Sequence, residues 1–221
     1  SYTDSIAPPN IVIAYGEQAN LYAELGMYDR ALQLNTKAQH YSLLKDSFGL
    51  GDLYRYRAAI FGQTGIKDSI FYYLNQAEKI SALQGSFKGV FVNKVTTVEA
   101  YLDYTDSVQK ALTLALSICP DSSRMPQWAK YELELHLGRA LLQTGKATQG
   151  IPLIEKAAQG FISMDMRSGK QKANNILMDY YLSMNMNDAF VRCYKRSQTF
   201  TDSLNLAEKM RAVAAANIRF D

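Results

Sequence analysis

Small and apolar residues recur along the chain at spacings of three, four and seven, the mark of amphipathic helices. Near the start, Tyr15, Ala19 and Tyr22 share one helical face, Gly26 interrupts it, and Tyr28, Ala31 and Ala38 open another. The same order returns as Tyr54, Ala58, Phe61, Gly65, Ile70 and Ala77, then as Gly138, Leu141, Gly145, Gly150 and Ala157. Weaker copies run through Val95, Glu99, Val108 and Ala115, and through Ile176, Leu177, Tyr180 and Ala189. Each copy predicts two amphipathic helices joined by a tight turn.

The copies are evenly spaced. Taking Ala31, Ile70, Val108, Gly150 and Ala189 as equivalent positions gives intervals of 39, 38, 42 and 39 residues. Nine positions before each stand Tyr22, Phe61, Glu99, Leu141 and Tyr180, and four copies carry alanine seven positions after, the fifth having Arg196. The residue types follow from packing. Ala19, Ala58 and Gly138 are notches that admit a bulky side chain of the partner helix. Alanines seven apart, as at Ala31 and Ala38, lie on one face and let the next pair approach. Gly26, Gly65 and Gly145 end the first helix without a Cβ clash. Asp68-Ser69 and Asp106-Ser107 stand where the following helix needs a polar N-terminus. A single pair cannot bury both faces, so the pairs must stack.

This frame resembles the tetratricopeptide repeat (TPR) family, most closely in Leu25-Gly26-Met27-Tyr28-Asp29-Arg30-Ala31-Leu32. The resemblance implies an all-α, right-handed α-solenoid of about five helix pairs over residues 10–201. The repeats fall at about 10–45, 49–84, 88–120, 126–163 and 167–201. The intervals exceed the family's 34, which implies longer helices or wider turns, and Glu99 stands where an aromatic is usual. Cys119 to Pro126 holds two prolines and a polar cluster that forbid a continuous helix. It reads as an inter-repeat loop, because the frame resumes at once.

Residues 202–221 read as a C-terminal helix, either capping the last repeat or forming a short coiled-coil seam. Leu206, Met210, Val213, Asn217 and Phe220 alternate spacings of four and three, which makes a homodimer through residues 203–221 an expectation. Asp202-Ser203-Leu204 followed by Glu208-Lys209-Met210 is similar to the end of TPR arrays in certain bacterial regulators. In those, an extracytoplasmic array leads to a membrane span and then to a helix-turn-helix or histidine-kinase output domain. The resemblance implies a periplasmic or extracytoplasmic sensory portion of an inner-membrane protein. A cytoplasmic location is the alternative, and any membrane attachment lies in sequence outside this chain.

Composition narrows the chemistry. Apolar residues make up 48% of the 221, enough for a core, and 24 basic against 21 acidic residues leave a net charge of +3. That balance argues against direct nucleic-acid binding by this segment. Two cysteines, Cys119 and Cys193, are too few for a disulfide framework or thiolate metal site. His40 and His136 stand in no metal-ligand spacing and read as helix-surface or groove residues. There is no phosphate-binding glycine loop and no Gly-x-Ser-x-Gly elbow. Glu132 and Glu134, two apart, point away from each other on a helix. The reading is therefore a non-enzymatic binding module, with no catalytic residue, metal or cofactor.

Such an array is expected to curve, with the first helix of each pair lining its concave face and a protein or peptide partner bound in that groove. Counting from the notch residues, that face should present Asn20 and Glu24, then Arg55, then Asn93, Thr97 and Tyr101. Arg139 and Gln143 follow, then Asn174 and Tyr181. Amides, arginines and tyrosines suit an extended peptide or a partner helix. These positions lack the lysine–asparagine clamp with which some TPRs hold a terminal carboxylate. The expected function is a protein-interaction or sensory module of a bacterial signalling or transcription-regulating protein. The alternatives are a free-standing scaffold and, less favoured, an enzyme on a helical-repeat frame. Most of the fifteen tyrosines are expected in helix packing rather than in ligand stacking.

Overall fold

A computed structural model describes residues 9–44, 49–195 and 197. Every element among them is helical. In chain order these are α1 (Pro9–Glu24), α2 (Tyr28–Leu43), α3 (Leu50–Thr64), α4 (Lys67–Leu83), α5 (Phe87–Tyr104) and α6 (Val108–Ile118). A short 3-10 helix (Cys119–Arg124) leads to α7 (Gln127–Gln143), α8 (Ala147–Ser163) and α9 (Arg167–Ser183), and α10 covers residues 187–195. The fold is all-α, and successive helices pack as pairs, as the residue pattern predicts. The chain divides into two compact units, Ser1–Ala129 and Lys130–Asp221. The expected helix and seam over 202–221 lie outside the described residues.

Six turns share one geometry. At the first, the Gly26 N–H donates to the Ala23 carbonyl (3.0 Å) and the Met27 N–H to the Tyr22 carbonyl (2.9 Å). The same two bonds recur around Gly65, Gly85, Gly145, Asp165 and Asn185, all with φ between +52° and +77°. They satisfy the last helical carbonyls, and the left-handed residue is glycine or a short polar side chain because a Cβ is costly there. From Gly65 onward these residues fall on a twenty-residue grid: 65, 85, 145, 165 and 185. The marks at 105 and 125 hold Thr105 and Met125, both in extended backbone. The third pair departs from the frame there, at the two ends of α6 and its 3-10 extension. From Gly65 onward a pair thus takes 40 residues, and the excess over the family's 34 lengthens the helices to 17 residues in α4, α7, α8 and α9.

The turn grid corrects the register of the fifth repeat by one residue. Four positions before the left-handed residue stand Tyr22, Phe61, Leu141 and Tyr181, whose carbonyls all accept the long turn bond. Tyr181 is buried, whereas Tyr180 is only partly so. Twelve positions after the turn stand Ala38, Ala77 and Ala157, each at 0% exposure, and then Ser197 at 5%. Ser197, not Arg196, is the small residue of the last pair, and Phe190 replaces Ala189 as the equivalent of Ala31.

Close helix approach rests on missing side chains. A Cβ on Gly150 would lie 2.6 Å from the Gly138 carbonyl oxygen, and one on Gly138 would lie 2.8 Å from that of Gly150. Gly169 seats the Phe161 ring, and Gly160 seats that of Tyr131. Phe161 is fully buried with Ile154, Leu177 and Leu135 in the core of the second unit. In the first unit Ser81 is wedged between Gly51 and Gly89, and its Oγ accepts from Asn93 Nδ2 at 3.0 Å. Asn35, also fully buried, donates to the Leu53 carbonyl (2.9 Å) and accepts from Gln39 (2.6 Å). These amides join α2 to α3 and α4 to α5 with directional bonds that apolar packing lacks.

One local expectation holds and another changes. The residue capping α4 is Ile66, which places Asp68 inside the first turn, where its charge meets the helix dipole without a capping hydrogen bond. Ser86 caps α5, accepting from the Gly89 N–H at 3.1 Å. His136 is not a surface residue: it is 1% exposed, with Nε2 at 3.5 Å from Glu132 Oε2 one turn back. Glu134 points elsewhere, to Lys156 Nζ on α8 at 2.6 Å. The two carboxylates diverge as their spacing requires.

Candidate functional site

In the first unit α1 contacts α3 and α3 contacts α5, in addition to the contacts each makes with α2, α4 or α6. The first helices of the three pairs therefore stand side by side and form a continuous face. Asn20 is half-buried there and donates to Glu24 Oε1 at 3.2 Å, one turn on. Arg55 Nη2 lies 3.0 Å from Asp52 Oδ1, and its guanidinium covers the Tyr56 ring at 4.9 Å. Thr97 donates to the Asn93 carbonyl at 2.9 Å, which commits its hydroxyl to its own helix. Tyr101 is half-buried against Phe71, ring centroids 4.9 Å apart, with Lys110 Nζ 5.9 Å from its centroid.

Three of the expected face residues are interior. Asn93 is 2% exposed and spent on Ser81; Asn174 is 1% exposed and Tyr181 8%. For Asn174 and Tyr181 the cause is the one-residue register shift, which turns the outward positions of α9 to Asn175, Asp179 and Ser183, all exposed. The Asn174 side-chain amide makes no hydrogen bond among the described residues. In the second unit Arg139 is half-buried and Gln143 exposed on α7. No side chain buried to the depth of Asn93, Asn174 or Tyr181 offers a partner a surface.

The structure adds a feature that sequence reasoning missed. Between α1 and α3 lies a cleft of about 180 Å³, lined among others by Ile13, Gly16, Glu17, Asp52, Leu53 and Tyr56. Gly16 makes it possible: a Cβ there would sit 3.1 Å from Leu53 Cδ2 and 3.8 Å from the Tyr56 ring. Glu17 and Asp52 are exposed at the cleft, and Ile13 is 47% exposed. Their signal lies in the repeat frame, one turn N-terminal of the expected face positions. Ile13 and Asp52 precede Tyr22 and Phe61 by nine residues, Glu17 and Tyr56 by five.

The tyrosines follow the packing expectation. Tyr15 stacks on Tyr41 (5.9 Å), and Tyr73 joins Phe61 (5.5 Å) and Tyr54 (5.9 Å). Arg30 covers Tyr22 at 4.6 Å. No helix among the described residues is long and apolar enough to cross a membrane.

No family model matches the sequence, and no curated protein sequence does. In structure the chain is similar to a signal transduction ATPase with numerous domains (STAND) protein from Pyrococcus horikoshii that has a tetratricopeptide repeat sensor. The TM-score is 0.64 at 16% identity, over 92% of this chain and 31% of that one. At that identity the likeness speaks for the fold, a TPR-like helical repeat. The chain spans under a third of the length of the protein it matches.

Proposed function

We propose that this chain is the protein-binding, sensory module of a larger signalling protein, engaging an extended peptide or a partner helix along the face built by the first helices of its pairs. The observation that carries the reading is the side-by-side placement of α1, α3 and α5. Their second helices pack the core behind them, which leaves Glu24, Ala59 and Gln63 exposed and Asn20, Thr97 and Tyr101 half-exposed on that face. The structural neighbour supports it, since its own repeat is described as a sensor. Binding of this kind acts by shifting the balance between states of whatever the module is joined to.

The C-terminal resemblance supports a narrower version: the extracytoplasmic sensor of a membrane-anchored bacterial regulator or histidine kinase. The test of binding is selection of a phage-displayed random peptide library on the whole chain, repeated on the doubly blocked variant Ala59→Arg/Thr97→Arg. Selected peptides should lose binding to the blocked variant while its melting temperature holds. Peptides that bind both equally would remove the face from the proposal.

A further inference from the structure

We infer that the cleft between α1 and α3 receives a basic side chain, arginine or lysine, of an extended partner peptide. The inference rests on the partner-binding reading of this face and names the chemistry of one subsite on it.

The cleft is apolar in its walls and acidic at its rim. Leu53, the Tyr56 ring and Ile13 form the walls, and Gly16 leaves open the space a side chain would occupy. At about 180 Å³ it holds one long side chain rather than a folded surface. A long aliphatic stem with a charge at its end matches such a cavity, because the stem covers apolar surface while the head stays near water.

Charge decides between basic and acidic occupants. Helix α1 carries Glu17 and Glu24 and no lysine or arginine. Glu17 has neither an ion pair nor a hydrogen bond among the described residues. The neighbouring first helices α3 and α5 carry four cations, and each is engaged away from Glu17: Arg55 pairs with Asp52 at 3.0 Å, Arg57 donates to Thr36 Oγ1 at 3.0 Å, Lys94 lies 3.9 Å from Glu78, and Lys88 lies over the Trp128 ring at 5.8 Å. Among the described residues, Glu17 thus leaves the rim at α1 an uncompensated negative site beside an aromatic wall. Arg55 already displays the arrangement in the protein itself: a guanidinium over the Tyr56 ring with a carboxylate at 3.0 Å. An incoming cation would meet Glu17 across the same ring system, with ion pairing and cation–π attraction acting together. An acidic peptide would meet like charge here.

The test measures fluorescence anisotropy of two labelled peptides, (Leu-Arg-Ser)4 and (Leu-Glu-Ser)4, against the whole chain. The arginine peptide should bind and the glutamate peptide should not. The double variant E17Q/D52N should weaken arginine-peptide binding roughly tenfold, the order expected for a matched charge pair at a partly desolvated site. The variant I13R, which places a cation at the cleft itself, should abolish it. All three positions are exposed, so unchanged melting curves verify that the variants fold. Equal binding of both peptides, no binding of the arginine peptide, or indifference to both variants would overturn the assignment. Should the cleft prove indifferent while library peptides still fail on the Ala59→Arg/Thr97→Arg variant, the face would keep its function and this subsite alone would fall.

Discussion

Gly138 and Gly150 meet backbone to backbone across α7 and α8: a Cβ on Gly150 would lie 2.6 Å from the Gly138 carbonyl oxygen and 3.1 Å from the Leu142 nitrogen. Neither neighbour is the free end of a side chain, so the helices would have to separate. Alanine ordinarily gains about 1 kcal/mol over glycine inside a helix. Here overpacking of about 1–3 kcal/mol opposes that gain and outweighs it. Gly150→Ala should lower the urea midpoint and Tm of the chain. A stabilised protein would mean the two helices are not in contact at this point.

Gly62 carries a second notch of a different kind, since a Cβ there would collide with the Tyr104 hydroxyl end rather than with backbone. A side chain can be removed, so the clash is separable. Gly62→Ala should destabilise alone and should cost markedly less in a Tyr104→Leu background. The coupling energy read from the double-mutant cycle should be about 0.5–3 kcal/mol, the range for residues in contact. Additive effects would show that α3 and α5 do not approach through this pair.

The register of the last pair can be read from two adjacent tyrosines. Tyr181 is 8% exposed within the core cluster around Phe161 and Leu177, whereas Tyr180 is only partly buried at its margin. Truncating a buried aromatic costs about 3–5 kcal/mol. Tyr181→Ala should fall in that range by equilibrium unfolding, and Tyr180→Ala clearly below it. The reverse order would restore the frame in which Tyr180 and Arg196 are the repeat positions.

That one-residue shift shows what the sequence could and could not tell. Helix content and the pairing of helices were legible, because a notch, an aromatic and a left-handed turn residue recur at fixed offsets and each has a steric cause. In the fifth copy the turn residue is Asn185, not glycine. With Tyr180 and Tyr181 adjacent, nothing local marked which one faced inward. The error carried Asn174 and Tyr181 into the expected binding face. Asn93 went astray for another reason: an amide reads as a surface residue until Ser81 Oγ, twelve residues earlier, supplies its partner inside. The α1–α3 cleft was missed because it depends on the absence of a side chain at Gly16 beside a residue 37 positions on, Leu53. No spacing within one repeat reveals that.

Asn35 tests whether the interior amides hold neighbouring pairs together. Its Nδ2 donates to the Leu53 carbonyl and its Oδ1 accepts from Gln39, all at 0% exposure of the asparagine. Asn35→Ala removes both bonds and leaves a small void between α2 and α3. The expected loss is about 1–3 kcal/mol, the cost of stranding buried polar groups. Asn35→Leu should not recover it, since Leu still lacks the donor. Recovery by leucine would show that volume, not hydrogen bonding, sets this contact.

The left-handed turns give the last comparison, because the same backbone conformation is held by glycine at Gly85 and by asparagine at Asn185, with φ of +65° and +56°. A Cβ added at Gly85 meets nothing within 4 Å, so any penalty there is conformational and not steric crowding by neighbours. Gly85→Ala should therefore cost about 1–2 kcal/mol, the price of the left-handed region for an L-residue. Gly85→Asn should cost less, since short polar side chains visit that region more readily. Asn185→Gly should be close to neutral, as the relief of strain offsets the greater freedom glycine gives the unfolded chain. Thermal unfolding of the three variants reads the order directly. Equal losses for Gly85→Ala and Gly85→Asn would mean that the turn selects glycine for some reason other than its φ.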